Sequence, residues 1–151
     1  SRGLGDVYKR QMAEAMAGAD NRIDAERAGF EGFFRFTAAH PALYRIVREA
    51  EFVSPDMLRL HYTRIVEGYE AGLRAAQRDG DVDAALDPEV TAWALMGAGE
   101  LIGMRFLLWE RDGAGRPPEA MPDEIIDHMM RFIRNALAVR GAGATEGNTD
   151  A

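Results

Sequence analysis

The chain has 151 residues, of which 47% are hydrophobic and 28% are charged, and it contains no cysteine. This length and composition fit one globular domain with its own core, and the lack of cysteine excludes disulfides, thiolate metal sites and cysteine nucleophiles. The formal net charge is −7 and Lys9 is the only lysine. A free-standing nucleic-acid-binding protein is therefore not expected, because such proteins present a basic face to the phosphates.

No apolar run approaches the roughly 20 residues needed to cross a bilayer. The first residues also lack the apolar region of a signal peptide. We therefore expect no membrane association and a cytoplasmic location, with which the absence of cysteine agrees.

The two ends of the chain differ from its middle. Residues 6–11 read DVYKRQ, which resembles the translation of GAT GTG TAT AAG AGA CAG, the end sequence of transposase-made sequencing libraries. We expect residues 1–11 to be a non-native, adapter-derived segment. Residues 141–151 are small and polar and lack periodicity, which predicts a disordered tail. The folded domain is expected at residues 12–140.

The middle of the chain predicts an all-α fold, because apolar residues recur at helical spacing and no convincing run of β-branched residues alternates. Proline and glycine separate the predicted helices. We predict a bundle of about five to six helices, at residues 12–17, 23–39, 41–51, 55–78, 88–110 and 122–139.

The second predicted helix, at residues 23–39, carries Phe30 and Phe33 at helical spacing. It ends at His40, because a residue before proline is pushed out of the helical region. Pro41 then suits the first position of the next helix, and His40 is expected to cap the break.

Residues 54–56, Ser-Pro-Asp, are a strong helix start signal, with a hydroxyl N-cap, proline at the first position and an acid in the first turn. Gly80 suits a left-handed cap at the end of the same helix. Residues 87–89, Asp-Pro-Glu, repeat the start signal.

The predicted helix at residues 88–110 is apolar around almost its whole circumference, and such a helix must be buried nearly all round. We predict that one face meets the chain's own core and another meets a second subunit. Gly97, Gly99 and Gly103 each cost about 1 kcal/mol relative to alanine, which close approach of another helix or space for a ligand would explain. The helix at residues 122–139 also has a broad apolar surface. The expected dimer contacts are Leu95, Ala98, Ile102, Phe106, Ile125, Met129, Phe132, Ile133 and Ala136.

In order and spacing, these elements resemble the C-terminal domain of TetR/AcrR-type transcriptional regulators over residues 23–137. The residues that carry the resemblance are Phe33-Phe34-Arg35-Phe36, His40-Pro41-Ala42-Leu43-Tyr44-Arg45-Ile46-Val47-Arg48-Glu49, Tyr69, Gly80, Asp87-Pro88-Glu89, Ala94-Leu95-Met96-Gly97, Gly103 and Trp109. The N-terminal helix-turn-helix that defines the family is expected upstream, so no DNA-contacting residue carries over to this chain.

The resemblance implies that residues 12–140 are an effector-binding and dimerisation domain. The last two long helices would pair with their copies as a four-helix bundle, and a pocket among the middle helices would bind a small molecule. Binding would change the separation of two DNA-reading heads, through different affinities for two states. The protein would be a regulator of transcription, expected to be a repressor, that contacts DNA only through the missing domain.

Ten aromatic, histidine and apolar residues are candidates for the pocket, with ordinary core packing as the competing explanation. His61, Tyr62 and Trp93 are the more informative ones, because each brings a polar group to an apolar site. Glu100 is expected to anchor a polar ligand, to pair with an arginine across the dimer or to reach solvent. Aromatic and methionine side chains favour a hydrophobic effector. The ten are Phe33, Phe36, Tyr44, Phe52, His61, Tyr62, Ile65, Trp93, Met96 and Met104.

The sequence carries no recognisable catalytic or metal site, so we expect no enzyme, metal or cofactor. It has no glycine-rich phosphate loop or nucleophile elbow, and His40, His61 and His128 show no metal-ligand spacing. Two alternatives stay open. A small helical enzyme or carrier would gather several polar groups near a titratable residue, whereas a purely structural dimerisation module would have a closed core.

Overall fold

A computed structural model describes Arg10 and residues 12–140. Within this part of the chain the regular elements are helices and no strand occurs, which confirms the predicted all-α bundle. Apart from Arg10, the expected adapter-derived segment at residues 1–11 and the expected tail at residues 141–151 lie outside the described residues. The helices are α1 (residues 12–17), α2 (Arg22–Ala39), α3 (Pro41–Val53), α4 (Pro55–Asp79), α5 (Pro88–Gly103) and α6 (Asp123–Leu137).

Capping side chains and a glycine place several helix ends. The Asn21 side chain accepts a hydrogen bond from the backbone N–H of Asp24 (2.9 Å) at the start of α2. Asp87 accepts one from the backbone N–H of Val90 (2.8 Å) at the start of α5. Gly80 ends α4 with φ at 81°, in the left-handed region that favours glycine. The start signal at Asp87 and the stop at Gly80 are therefore confirmed.

Two predicted caps form differently. Ser54 precedes α4, but its hydroxyl makes no capping hydrogen bond to the described backbone. His40 caps α2 through its own N–H, which donates to the Phe36 carbonyl at 2.9 Å, while its ring packs 4.7 Å from the Phe36 ring centre. Proline at the first position of α3 and α4 has no N–H to satisfy, which lowers the need for a side-chain cap there.

The fifth helix is shorter than predicted. The α-helix ends at Gly103, and Met104–Leu108 form one π-helical turn in which the Trp109 N–H donates to the Met104 carbonyl at 2.9 Å. The wider turn places both Met104 and Leu107 in the core. None of the described helices is long and apolar enough to cross a membrane.

The core is built around α2, which packs against α3, α5, the π-turn and α6, while α4 packs along α5. Its side chains are apolar and come from every described helix except α1 and α3. The buried members are Phe30, Phe34, Val66, Leu73, Ala76, Val82, Ala92, Leu95, Leu107, Met121, Ile126, Met129, Met130, Ile133 and Leu137.

Helices α2 and α5 come closest at Gly99. A Cβ on Gly99 would lie 2.7 Å from Cε1 of Phe30, nearer than real Cβ contacts come. Phe30 is itself buried in the core, so its ring has little room to withdraw. Close approach therefore explains Gly99, whereas no described atom would lie within 4 Å of a Cβ on Gly97.

We expect Gly99→Ala to lower the free energy of unfolding by about 1–2 kcal/mol, because overpacking costs more than alanine gains in helix propensity. Gly68→Ala on α4 is the matched control, since the described structure leaves open space around the added Cβ. That control should raise the free energy of unfolding by about 0.5–1 kcal/mol. Urea unfolding measures both, and equal effects would contradict a close contact at Gly99.

Candidate functional site

An apolar cavity of about 160 Å³ lies among the first five helices. His40 and His61 are exposed side chains in its wall, so the cavity reaches the surface beside them. Its described lining is Met12, Met16, Gly29, Phe30, Phe33, Phe36, Thr37, His40, Leu43, Tyr44, Val47, His61, Tyr62, Ile65, Tyr69, Met96, Gly99 and Glu100.

One wall consists of α3 and the first half of α4. No residue of α3 is fully buried, and the buried side chains of α4 begin only at Val66. Yet Leu43, Tyr44 and Val47 share one apolar face of α3, because residues three and four positions apart are neighbours on a helix. That face meets the cavity. The apolar face of α3 therefore borders the cavity and does not pack into the core.

Tyr62 and Glu100 form a polar end of the cavity. The Tyr62 hydroxyl donates a hydrogen bond from α4 to Oε1 of Glu100 on α5, at 2.5 Å. Burial first, and then this bond, raise the pKa of Tyr62 above its usual value, so the phenol keeps its proton at neutral pH. Glu100 is partly buried and lies in the cavity wall. This position is the one that the first expectation, an anchor for a polar ligand, requires.

Tyr44 lies next to this pair in the cavity wall. Its hydroxyl oxygen is buried and has no hydrogen-bond partner among the described atoms. Burial first, and then the Glu100 carboxylate, raise the pKa of Tyr44 to about 12, against a lowering effect of Arg48. A buried hydroxyl left unpaired costs about 1–3 kcal/mol. At the polar end of the cavity, the Tyr44 hydroxyl is therefore available to form a hydrogen bond with a ligand.

A second polar cluster, around Glu26, is satisfied within the protein. Glu26 is 1% exposed, and one of its oxygens accepts from Nε of Arg22 at 2.7 Å while the other accepts from the Tyr69 hydroxyl. The Arg22 guanidinium lies 5.2 Å from the Tyr69 ring centre, and a Cβ on Gly72 would clash with it. Burial raises the pKa of Glu26, and Arg22 opposes that rise. Since both oxygens are engaged, this cluster ties α2 to α4 and offers no free group to a ligand.

The cavity includes seven of the ten pocket candidates, namely Phe33, Phe36, Tyr44, His61, Tyr62, Ile65 and Met96. Three candidates do not face it as predicted. Phe52 is 86% exposed and lies in the last turn of α3, outside the cavity lining. Trp93 is 44% exposed, with its ring centre 6.0 Å from that of Tyr62. Met104 is in the core, because the π-turn directs it inward.

The lining also contains residues that were not among the candidates, notably Met12, Met16 and Tyr69. Glu26 was not predicted as a buried residue, although the sequence contains a signal for it. Glu26 lies four residues before Phe30 and therefore on the same buried stripe of α2. A carboxylate on such a stripe requires partners, which Arg22 and Tyr69 provide.

The predicted dimer contacts fall into three groups, which are buried, half-buried and exposed within the chain. Leu95, Met129 and Ile133 are buried in the chain's own core, so a second subunit would not reach them. The reason is the rotation of α5 and α6, which turns these residues inward. Half-buried positions packed against the core are Ala98, Ile102, Phe106 and Ile125.

The outward faces of α5 and α6 are apolar in several places. Val90 and Leu101 on α5 are 67% and 61% exposed, and Phe132 on α6 is 67% exposed. Ala94 and the predicted contact Ala136 are exposed as well. The outer surface of the two helices thus carries large apolar side chains that the described chain leaves in contact with water.

The three histidines lie apart. His40 and His61 are in the cavity wall, whereas His128 is on α6, 3.7 Å from Glu124. Among residues 12–140 no group of three or more histidine, aspartate or glutamate side chains could hold a metal ion.

Comparison with known proteins adds no relative. No protein-family model matches the chain, and no curated protein matches it. The family assignment therefore rests on the residues quoted above and stays a proposal.

The phenols of Tyr44 and Tyr69 should respond differently to loss of the hydroxyl. Tyr69→Phe should lower the free energy of unfolding by about 1–3 kcal/mol, because it leaves one oxygen of buried Glu26 unpaired. Tyr44→Phe is the matched control and should have no cost or a small gain, because it removes a hydroxyl without a described partner. Urea unfolding compares them, and an equal loss in both variants would contradict the unpaired state of Tyr44.

Proposed function

We propose that this chain is the effector-sensing and dimerisation domain of a TetR-type transcriptional regulator, most simply a repressor. A small hydrophobic effector would bind in the cavity and alter DNA binding by an N-terminal helix-turn-helix outside this sequence. The all-helical fold supports the proposal, together with the family resemblance of residues 23–137.

The cavity is the observation that carries the proposal. An engineered apolar cavity of about 150 Å³ accommodates a molecule the size of benzene, and the cavity among α1–α5 has about 160 Å³. A structural dimerisation module would gain stability by filling such a space, because an empty volume loses packing contacts. The open space therefore favours a sensor over a module with a closed core.

The polar end of the cavity is also what a small helical enzyme would show. However, the raised pKa values of Tyr44 and Tyr62 keep both phenols protonated at neutral pH, so neither is a phenolate that would serve as a general base there. The Tyr62 hydroxyl already donates a hydrogen bond to the Glu100 carboxylate. The arrangement favours recognition of a bound molecule over chemistry on it.

Helix α1 offers a route from the cavity towards the upstream part of the protein. Met12 and Met16 of α1 line the cavity directly, and methionine side chains adapt readily to different neighbours. A molecule in the cavity would contact α1, α3 and α4 together. It would shift the domain between two arrangements only so far as it prefers one of them.

The outer faces of α5 and α6 support a homodimer. Val90, Leu101 and Phe132 are large, apolar and exposed, so their side chains are available to the surface of a second chain. Val90, Ala94, Gly97 and Leu101 recur every three or four residues and therefore share one face of α5. No described atom lies within 4 Å of a Cβ placed on Gly97. A helix of a second chain would thus be able to approach α5 closely at this point.

Ligand binding is tested with toluene, which has the size and polarity of the cavity. Toluene should raise the melting temperature, because a molecule that binds only the folded state stabilises it. Val47→Trp, which fills the cavity, should abolish the rise, and Arg45→Trp on the exposed face of the same helix should leave it intact. Differential scanning fluorimetry makes the comparison. The absence of a rise in the wild type, or an equal rise in Val47→Trp, would count against the sensor.

The dimer is tested by light scattering coupled to size-exclusion chromatography. The wild-type chain at micromolar concentration should have twice the mass of one chain, and Leu101→Glu should reduce this to a single chain, because a charge on an apolar interface is costly. Phe52→Glu is the matched control, since Phe52 is also large, apolar and exposed but lies on α3. A monomeric wild type, or a dimer that survives Leu101→Glu, would contradict the proposal.

A further inference from the structure

The charged groups in the cavity wall restrict the class of ligand that the cavity would bind. Glu100 is the carboxylate of the described lining, and no arginine or lysine is part of that lining. Oε1 of Glu100 accepts the Tyr62 hydroxyl, and no ion pair joins this carboxylate to any residue of the described chain. A partly buried carboxylate with one hydrogen bond still lacks a cation.

The contrast with Glu26 makes this clear. Glu26, a buried glutamate of α2, accepts a hydrogen bond from the Arg22 guanidinium on one oxygen and from the Tyr69 phenol on the other. Among the described residues, Glu100 accepts one side-chain hydrogen bond, from the Tyr62 phenol. Among the described residues, one carboxylate thus has an ion-pair partner and the other, at the cavity, has none, although the exposed Arg48 lies near enough to lower the pKa of Tyr44 and of Tyr62.

The unpaired Tyr44 hydroxyl adds a second requirement at the same end. A phenol accepts as well as donates hydrogen bonds, and an ammonium group has three donors and no acceptor. An ammonium would be able to donate to the Glu100 carboxylate and to the Tyr44 oxygen at once. An alcohol has one donor, and a carboxylate ligand has none and would be repelled by Glu100.

The apolar part of the cavity suits the rest of such a molecule. The rings of Phe30, Phe33 and Phe36 line it, and aromatic faces attract cations as well as apolar groups. Its volume of about 160 Å³ matches one aromatic ring or a short alkyl chain.

We propose that the cavity binds a small protonated amine, with one aromatic ring or short alkyl chain among the phenylalanines and its ammonium group between Glu100 and Tyr44. This inference rests on the proposed function, since it names the class of effector for the same cavity. It goes beyond a hydrophobic effector, because it makes positive charge the selected feature.

The test compares three molecules of nearly the same shape on the full chain by isothermal titration calorimetry: benzylamine at neutral pH, benzyl alcohol and sodium benzoate. Benzylamine should bind at least about tenfold more tightly than benzyl alcohol, since hydrogen bonds to charged groups are worth that much. Benzoate should show no binding. This ranking in the wild type decides the inference even if a variant fails to fold.

Variants assign the preference to its residues. Glu100→Gln keeps a hydrogen-bond acceptor for Tyr62. It should lower the affinity for benzylamine by about tenfold and change the affinity for benzyl alcohol by less than about twofold. Tyr44→Phe should weaken benzylamine by about threefold to tenfold. Glu67→Gln, which removes an exposed carboxylate of α4, is the matched control and should change neither affinity.

The outcomes separate this inference from the proposed function. If toluene or benzyl alcohol binds and benzylamine binds no more tightly, the amine inference is overturned and the sensor stands. Stronger binding of benzoate, or an amine preference that survives Glu100→Gln, also overturns the inference. If toluene and all three charged and neutral probes fail to bind, the proposed function fails as well.

Discussion

The structure depends on the contact between Gly99 of α5 and the ring of Phe30 on α2. Without a side chain at position 99, the two helices lie close enough for the Phe30 ring to fill the space between them. Leu95 and Phe34 then belong to a core that excludes water. Met96 and Glu100, on the neighbouring face of α5, belong to the cavity wall. One close contact thus sits at the boundary between a packed region and an open one.

The open region differs from the packed one in how its polar groups are treated. Arg22 and Tyr69 satisfy Glu26 completely, as expected of a polar group inside a stable core. At the cavity, the Tyr44 hydroxyl has no described hydrogen-bond partner, and Glu100 accepts one described hydrogen bond, from the Tyr62 phenol. Unpaired polar groups lower stability, so a molecule that pairs them gains the affinity that the folded chain leaves unused. Helix α3 covers these groups without a buried residue of its own, which makes it the wall most able to adjust.

Much of the fold was predictable because helix signals are local. Asp87 and Gly80 mark helix ends through their own backbone and side-chain chemistry, and the prediction found both. The cavity residues Tyr44, Tyr62 and Ile65 were also predicted, because spacing along a helix places residues on a common face. What spacing does not provide is the rotation of a helix that is apolar on all sides. Leu95 was therefore assigned to a dimer face although it is buried, and the exposed Leu101 was not. Glu26 was missed although it shares a buried stripe with Phe30, whereas its pairing with Tyr69, 43 residues away in the sequence, is not predictable from local spacing.

The most direct test of the central claim, that the space among α1–α5 is a ligand site, is a crystal structure of the chain grown with bromobenzene. Bromine gives an anomalous signal that locates the molecule independently of the protein. The account predicts a single strong peak among Phe30, Phe33 and Tyr62, with α3 in place over it. A cavity closed by α3 packing onto α2, or bromine found only on the outer surface, would contradict it.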